Sequence, residues 1–218
     1  KNGMVKKTPI ADYANIRKTG LIAMTLRDDD QLIEAKLIDA GEDIMIGTRN
    51  GMAIRFNETD VRVTGRSSMG VRGISLDADD EVIGMQKLSQ GDYVLVVSEK
   101  GMGKLTHVDE FKAQKRGGKG LHCYRITEKT GKLVGFKLTS KEREIMLITN
   151  EGVIIRMSLK DAKDIGRNTS GVKFMNIDPD STTVIASIAK VRESTTEAYE
   201  AELAETEADP EESDELNS

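Results

Sequence analysis

Apolar residues in this chain arrive in short, evenly spaced bursts. Ile44-Met45-Ile46, Val94-Leu95-Val96-Val97 and Ile145-Met146-Leu147-Ile148 run into Asn50-Gly51, Lys100-Gly101 and Glu151-Gly152, and a second apolar stretch follows each glycine. Such bursts, bounded by turn residues, predict strand, tight turn, strand. A polar residue followed by glycine suits hairpin turns that need a positive φ. Further strands are expected over 71–76, its equivalent 172–177, and Val82–Met85. Helical periodicity is weak and confined to stretches such as Val108–Lys112 and Leu159–Lys163.

The spacing is a repeat. Turn glycines stand at Gly3, Gly51, Gly101 and Gly152, with steps of 48, 50 and 51. A second register holds Gly20, Gly70, Gly120 and Gly171, with steps of 50, 50 and 51. A third is apolar, at Leu32-Ile33, Val82-Ile83, Leu133-Val134 and Val184-Ile185. About four short strands in each unit of roughly 50 residues fit an all-β, propeller-like architecture, in which neighbouring blades bury one another's faces. Two arrangements satisfy this: a small closed ring of four blades, or an open arc cut from a larger ring. The start at Lys1, inside a repeat, favours the arc and suggests a fragment. The expected division is residues 1–192 as blades, with repeats opening near 3, 51, 101 and 152, and residues 193–218 as a tail.

Charge separates the two parts. The formal net charge is −5, yet Glu193–Ser218 holds eleven of the 37 acidic residues and no Lys or Arg, leaving 26 acids against all 32 basic residues before it. A mildly basic body with an acidic appendage points to a polyanion partner. The tail has too little apolar surface to offset the entropy of ordering, so disorder is expected there. Aromatics are 4% and Trp is absent, so aliphatic residues and Met must fill the core. No apolar run approaches the length of a membrane-spanning helix, and no signal-peptide pattern opens the chain. A single Cys123 rules out an internal disulfide and fits a reducing cytosol.

The sharpest local feature is Gln114-Lys115-Arg116-Gly117-Gly118-Lys119-Gly120. Glycines allow close backbone approach and can expose amides as an anion nest, and Lys and Arg supply charge to phosphate oxygens. Nothing in it reads bases, so backbone contact independent of sequence is the expected mode. Equivalent loops are Arg17-Lys18-Thr19-Gly20, Arg66-Ser67-Ser68-Met69-Gly70 and Arg167-Asn168-Thr169-Ser170-Gly171. Further cations follow the hairpin turns (Lys6, Lys7, Arg55, Lys104, Arg156) and the second glycine (Arg72, Arg125, Lys173). Stacked blades would string these along one rim, the shape a bent duplex needs. The opposing reading is that they are solvated charges protecting edge strands.

Catalytic and metal constellations are missing from the pattern. His107 and His122 with one Cys form no ligand set, and adjacent His122 and Cys123 would point to opposite faces of a strand. Gly117–Gly120 lacks P-loop spacing. Asp28-Asp29-Asp30 and the 77–81 stretch lack calcium-loop spacing and read as turns.

Gln114–Gly120 resembles the basic, glycine-rich box of the bacterial DNA gyrase A subunit. Asn2–Thr8, Gly70–Ile74 and Gly166–Val172 are similar to the same family, and the resemblance covers about residues 1–192. It implies a β-pinwheel, a ring of usually six blades that exchange strands, wrapping double-stranded DNA on its basic rim. It also implies the rest of the gyrase A polypeptide and the B subunit as partners, ATP-dependent negative supercoiling by the whole enzyme, and a cytoplasmic, chromosome-associated location. ATP and Mg would act on parts outside this chain, and no cofactor is expected within it. In the family the box opens the domain, whereas here it stands in the third unit. The alternatives are the equivalent domain of topoisomerase IV, whose box is usually degraded, and a propeller scaffold for protein partners.

Overall fold

A computed structural model describes residues 1–16 and 18–191. Arg17, Arg192 and the acidic stretch Glu193–Ser218 lie outside the described residues, as does the expectation of disorder made for that stretch.

The described chain is all-β, with thirteen strands and four short 3-10 turns. The second unit sets the pattern. Strands β2 (Asp43–Thr48) and β3 (Met52–Asn57) form the predicted hairpin around Gly51. Strand β5 (Val82–Lys87) pairs with the other side of β2. The fourth strand, β8 (Leu121–His122), comes from the third unit and pairs with β3, giving the order β5-β2-β3-β8. The third unit repeats this with β6 (Tyr93–Ser98), β7 (Met102–His107), β9 (Leu133–Thr139) and the incoming β12 (Val172–Lys173). In the first unit β1 (Met4–Val5) receives β4 (Val71–Arg72). In the fourth, β10 (Glu144–Thr149) lies between β11 (Ile154–Ser158) and β13 (Ile185–Lys190).

Each of the second, third and fourth units therefore lends one strand to its predecessor. The lent strands are shorter than the stretches 71–76 and 172–177 suggested, at two residues each. Beyond them the backbone turns to let Gly73 and Ile74 donate to Gly3 O, and Phe174 and Met175 to Gly101 O. The stretch after Leu159 is a turn, not a helix, while Val108–Glu110 is one 3-10 turn.

Burial explains the unbroken apolar bursts. In β6, Val94 and Val96 enter one core with Met45, Phe111, Tyr124 and Phe136, while Leu95 and Val97 enter the next with Leu105, Ile145, Leu147 and Leu159. A strand covered on both faces needs apolar residues at every position. A third core, built on Ile46, Ile54, Phe56 and Ile74, joins the first two units. The cores thus lie between blades, which holds the connecting loops in a fixed order along one rim.

Candidate nucleic-acid interface

The loops preceding β8 and β12 are tied to the preceding unit by their own arginines, and the loop preceding β4 is held by residues of the first unit. Arg116 donates from Nε to Asp60 O at 2.7 Å and from Nη1 to Arg72 O at 3.0 Å. One unit on, Arg167 donates from Nη1 to His122 O at 2.8 Å, and its amide donates to Glu110 Oε2 at 2.8 Å. One unit back, Lys6 holds Arg66 O and Ala23 O, and Thr25 reaches Ser67 O and Ser68 O. The basic loops of successive units are therefore contiguous, and the loops of the third and fourth units rest on the strand that the previous unit lent away.

Within Gln114–Gly120 the backbone is largely engaged. The Gln114 amide donates to Arg55 O, the Gly117 amide to Gly73 O, and Gly118 O accepts from the Ser75 amide. Gly117 and Gly120 take φ of +84° and +78°. A side chain on Gly120 would collide with Ala53 O, so this glycine is dictated by close approach. The Gly117 amide, expected in an anion nest, is used inside the fold. What the loop offers outward is cationic side chains. Lys115 and Lys119 are exposed, and Lys119 meets the equally exposed Asp77 at 2.6 Å. An exposed pair of this kind contributes about 0–1 kcal/mol and yields readily to a phosphate.

The cations named from sequence divide by what they touch. Lys18, Arg72, Lys115, Lys119, Arg125 and Lys173 are exposed, with Lys173 bonded to Asn176 and Arg125 to Asn168 O. Arg66, Arg116 and Arg167 are half-buried at the loop junctions. The group after the hairpin turns departs from expectation. Lys104 is fully buried, donating to Gly166 O at 2.8 Å, to Arg167 O and to Thr169 Oγ1 at 3.1 Å. Its ammonium holds the loop from within and cannot meet a phosphate. Lys6 acts likewise from the first unit. One residue further along the repeat, Lys7 pairs with Glu58, Arg55 with Asp43 and Arg156 with Glu144, so these cations tie the blades themselves. Arg17 is outside the described residues.

Sequence reading missed one basic register. Arg62, Lys112 and Lys163 are all exposed at the start of the three rim loops, with steps of 50 and 51. The repeat spacing carried that signal. His122 occupies the place of Arg72 and Lys173, and Arg125 is outside that register. His122 is exposed and Cys123 buried, which separates the two side chains. Burial pushes the Cys123 thiol up to about 12, an unreactive state. Burial also brings Lys104 down to about 8, with Arg167 adding repulsion and Glu110 opposing it. The aspartates of the 28–30 and 77–81 stretches cap the hairpins: Asp30 accepts from the Asn2 amide and Asp80 from that of Asn50.

Comparison with known proteins gives this arrangement its place. The family model described as "DNA gyrase C-terminal domain, beta-propeller" matches residues 1–39, 42–89, 92–140 and 143–190. The chain belongs to this family. It is 45% identical over 200 residues to the DNA gyrase A subunit of Clostridium acetobutylicum, covering 92% of this chain and 24% of that protein. It is 43% identical over 176 residues to the Ureaplasma parvum protein of the same name, covering 81% of this chain and 21% of that one. It therefore spans about a fifth to a quarter of the length of these relatives. Among solved structures, a DNA gyrase A C-terminal domain superposes with a TM-score of 0.78 at 26% identity, covering 88% of this chain and 63% of that one. A topoisomerase IV C-terminal domain does so with 0.85 at 27%, covering 94% and 64%. The β-pinwheel implied by Gln114–Gly120 is the fold found.

Proposed function

We propose that this chain binds double-stranded DNA through its backbone, without reading sequence, and bends it along the rim of basic loops. The observation carrying this is the continuity of that rim. Arg116 and Arg167 fasten each loop to the preceding lent strand, while Lys112, Lys115, Lys119, Lys163 and Lys173 stay turned to solvent. Phosphates passing along the curve meet a cation at each unit, and the summed contacts offset the elastic cost of bending, about 1–6 kcal/mol for a site of 20–30 base pairs. No base-reading side chain is needed.

On this reading the module serves a gyrase of A and B subunits in the cytoplasm, presenting wrapped DNA for ATP-dependent negative supercoiling, with ATP and Mg acting on other parts of the enzyme. The intact Gln114–Gly120 box and the names of the sequence relatives favour gyrase over topoisomerase IV. The test is topological. Nicked circular DNA is religated with the chain bound, and the protein is then removed. Wrapping leaves a shift in linking number that grows with protein added. A linking number equal to that of naked DNA, under conditions where the DNA is bound, contradicts wrapping.

A further inference from the structure

The rim loops of the second, third and fourth units share one register but fill it with different chemistry. Met69, Lys119 and Ser170 each stand immediately before the register glycines Gly70, Gly120 and Gly171. Gly65, Lys115 and Gly166 each stand five residues before them. The third unit thus offers two exposed lysines where the second offers a glycine and a methionine. Met69 is 43% exposed, and Val63, on the other arm of the same loop, is 58% exposed.

The backbone around Met69 is fastened on both sides. The Ser68 amide donates to Gly65 O at 3.2 Å and closes the turn. Thr25 donates from Oγ1 to Ser67 O at 2.8 Å and from its amide to Ser68 O at 3.4 Å, and Lys6 holds Arg66 O. On the far side the Gly70 amide donates to Ser68 Oγ at 3.1 Å, and Val71 is paired with Val5. Gly70 takes φ of +83°, and a Cβ there would stand 2.3 Å from Val5 O. The loop cannot easily fold back to bury this methionine, so an apolar side chain is kept in water on the rim that the proposed function gives to DNA.

The cations beside it differ as well. Between Val61 and Arg72 every basic residue is an arginine, namely Arg62, Arg66 and Arg72, whereas the third unit uses Lys112, Lys115 and Lys119 with one arginine. Arg62 and Arg72 are exposed. A guanidinium is more weakly hydrated than an ammonium and is drawn into a narrow minor groove. Proteins that work in the minor groove combine such cations with an apolar wedge, Met among them, set between two base pairs, and the opened step bends the duplex. The unbranched thioether chain of Met adapts to a narrow slot. Ser170 is too short for this role, and Lys119 carries a charge that favours phosphate.

We infer that Met69, flanked by Arg62 and Arg72, enters the minor groove of the bound duplex and parts one base step, placing a kink at the second unit. This rests on the DNA-binding function proposed above and deepens it. A wedge meets the faces of the bases and reads no edge, so binding stays independent of sequence. The third unit, with Lys115 and Lys119, holds phosphate without opening a step.

The test uses the full 218-residue chain and a duplex with 2-aminopurine in place of adenine at its TpA steps, which open most readily. Anisotropy establishes that the duplex is saturated, and thermal melts check that each variant folds. Parting a step unstacks the probe, so its fluorescence should rise when the wild type binds. Met69→Ala should lose that rise and keep the salt dependence of binding, because no charge is removed. Met69→Leu should keep both, and Lys119→Ala should keep the rise with a shallower salt slope. A wild type that saturates the duplex with no rise overturns the inference and leaves the phosphate-binding rim standing. So does a Met69→Ala variant with the wild-type rise. A wild type that does not bind the duplex at all overturns both readings.

Discussion

The guanidinium of Arg116 donates from Nη1 to the main-chain oxygen of Arg72, 3.0 Å away. One basic residue thereby positions the backbone of another, across the junction of two repeats. Arg167 treats His122 in the same way. The rim is ordered by the cations that make it basic, which separates the side chains that hold the loops from those free to meet phosphate.

That separation is testable at Arg116. Arg116→Ala removes two donors to carbonyls, and hydrogen bonds from charged groups are worth about 1.5–3 kcal/mol each in favourable settings, less where water reaches them. The loop should loosen, seen as faster hydrogen exchange of the Gly117 amide, which Gly73 O holds at 2.6 Å. Lys115→Ala should weaken DNA binding and leave that exchange unchanged. Equal exchange in both variants would place Arg116 among the free cations.

The glycines give a second contrast. Gly120 combines a φ of +78° with a carbonyl where its Cβ would stand, whereas Gly20, at +81°, has open space. Gly120→Ala must move β8 off β3 and should cost several times as much stability as Gly20→Ala, whose cost is the left-handed backbone alone, about 1 kcal/mol. Chemical denaturation of both variants measures the difference, and similar midpoints would contradict the close approach.

Lys104 links the rim to pH. Its folded value of about 8 is below the ordinary lysine value of 10.5, so between these two the unfolded chain holds more protons than the folded one. Stability contributed by this group therefore rises as pH rises through that window, by up to about 1.4 kcal/mol per pH unit. Lys104→Met loses the three bonds to the 166–169 loop and this dependence together. The stability of wild type relative to Lys104→Met should increase from about pH 8 to about pH 10, by denaturant titration at each pH. A difference that stays flat would mean that the loop acceptors hold the ammonium charged throughout.

The repeat, the hairpins and the box were legible because glycine spacing and apolar bursts are local signals. Strand exchange was implied only by the family resemblance and had no local signal of its own. Val71-Arg72 reads as an ordinary short strand, and nothing local says that its partner Met4-Val5 belongs to the preceding unit. The fate of each cation was equally hidden. Lys104 and Lys115 look alike in a sequence, yet one sits beneath the carbonyls of Gly166 and Arg167 and the other faces water. Position within the repeat decides this. The third residue after the turn glycine reaches inward to the loop in Lys6 and Lys104, and the fourth reaches across the hairpin in Arg55 and Arg156. A finer alignment of the units would have separated them, and would have found Arg62, Lys112 and Lys163.

The measurement that bears most directly on a phosphate-binding rim is the salt dependence of affinity for duplex DNA. It compares the wild-type chain with a variant carrying Lys115→Ala, Lys119→Ala and Lys173→Ala, at exposed positions outside the loop ties. The account predicts sequence-independent binding whose logarithm falls steeply with the logarithm of salt concentration. The variant should bind more weakly, with a slope shallower by roughly 3, at about 0.9 for each phosphate left without its lysine. A variant that remains folded and keeps the wild-type slope would show that the rim is not where this chain meets DNA.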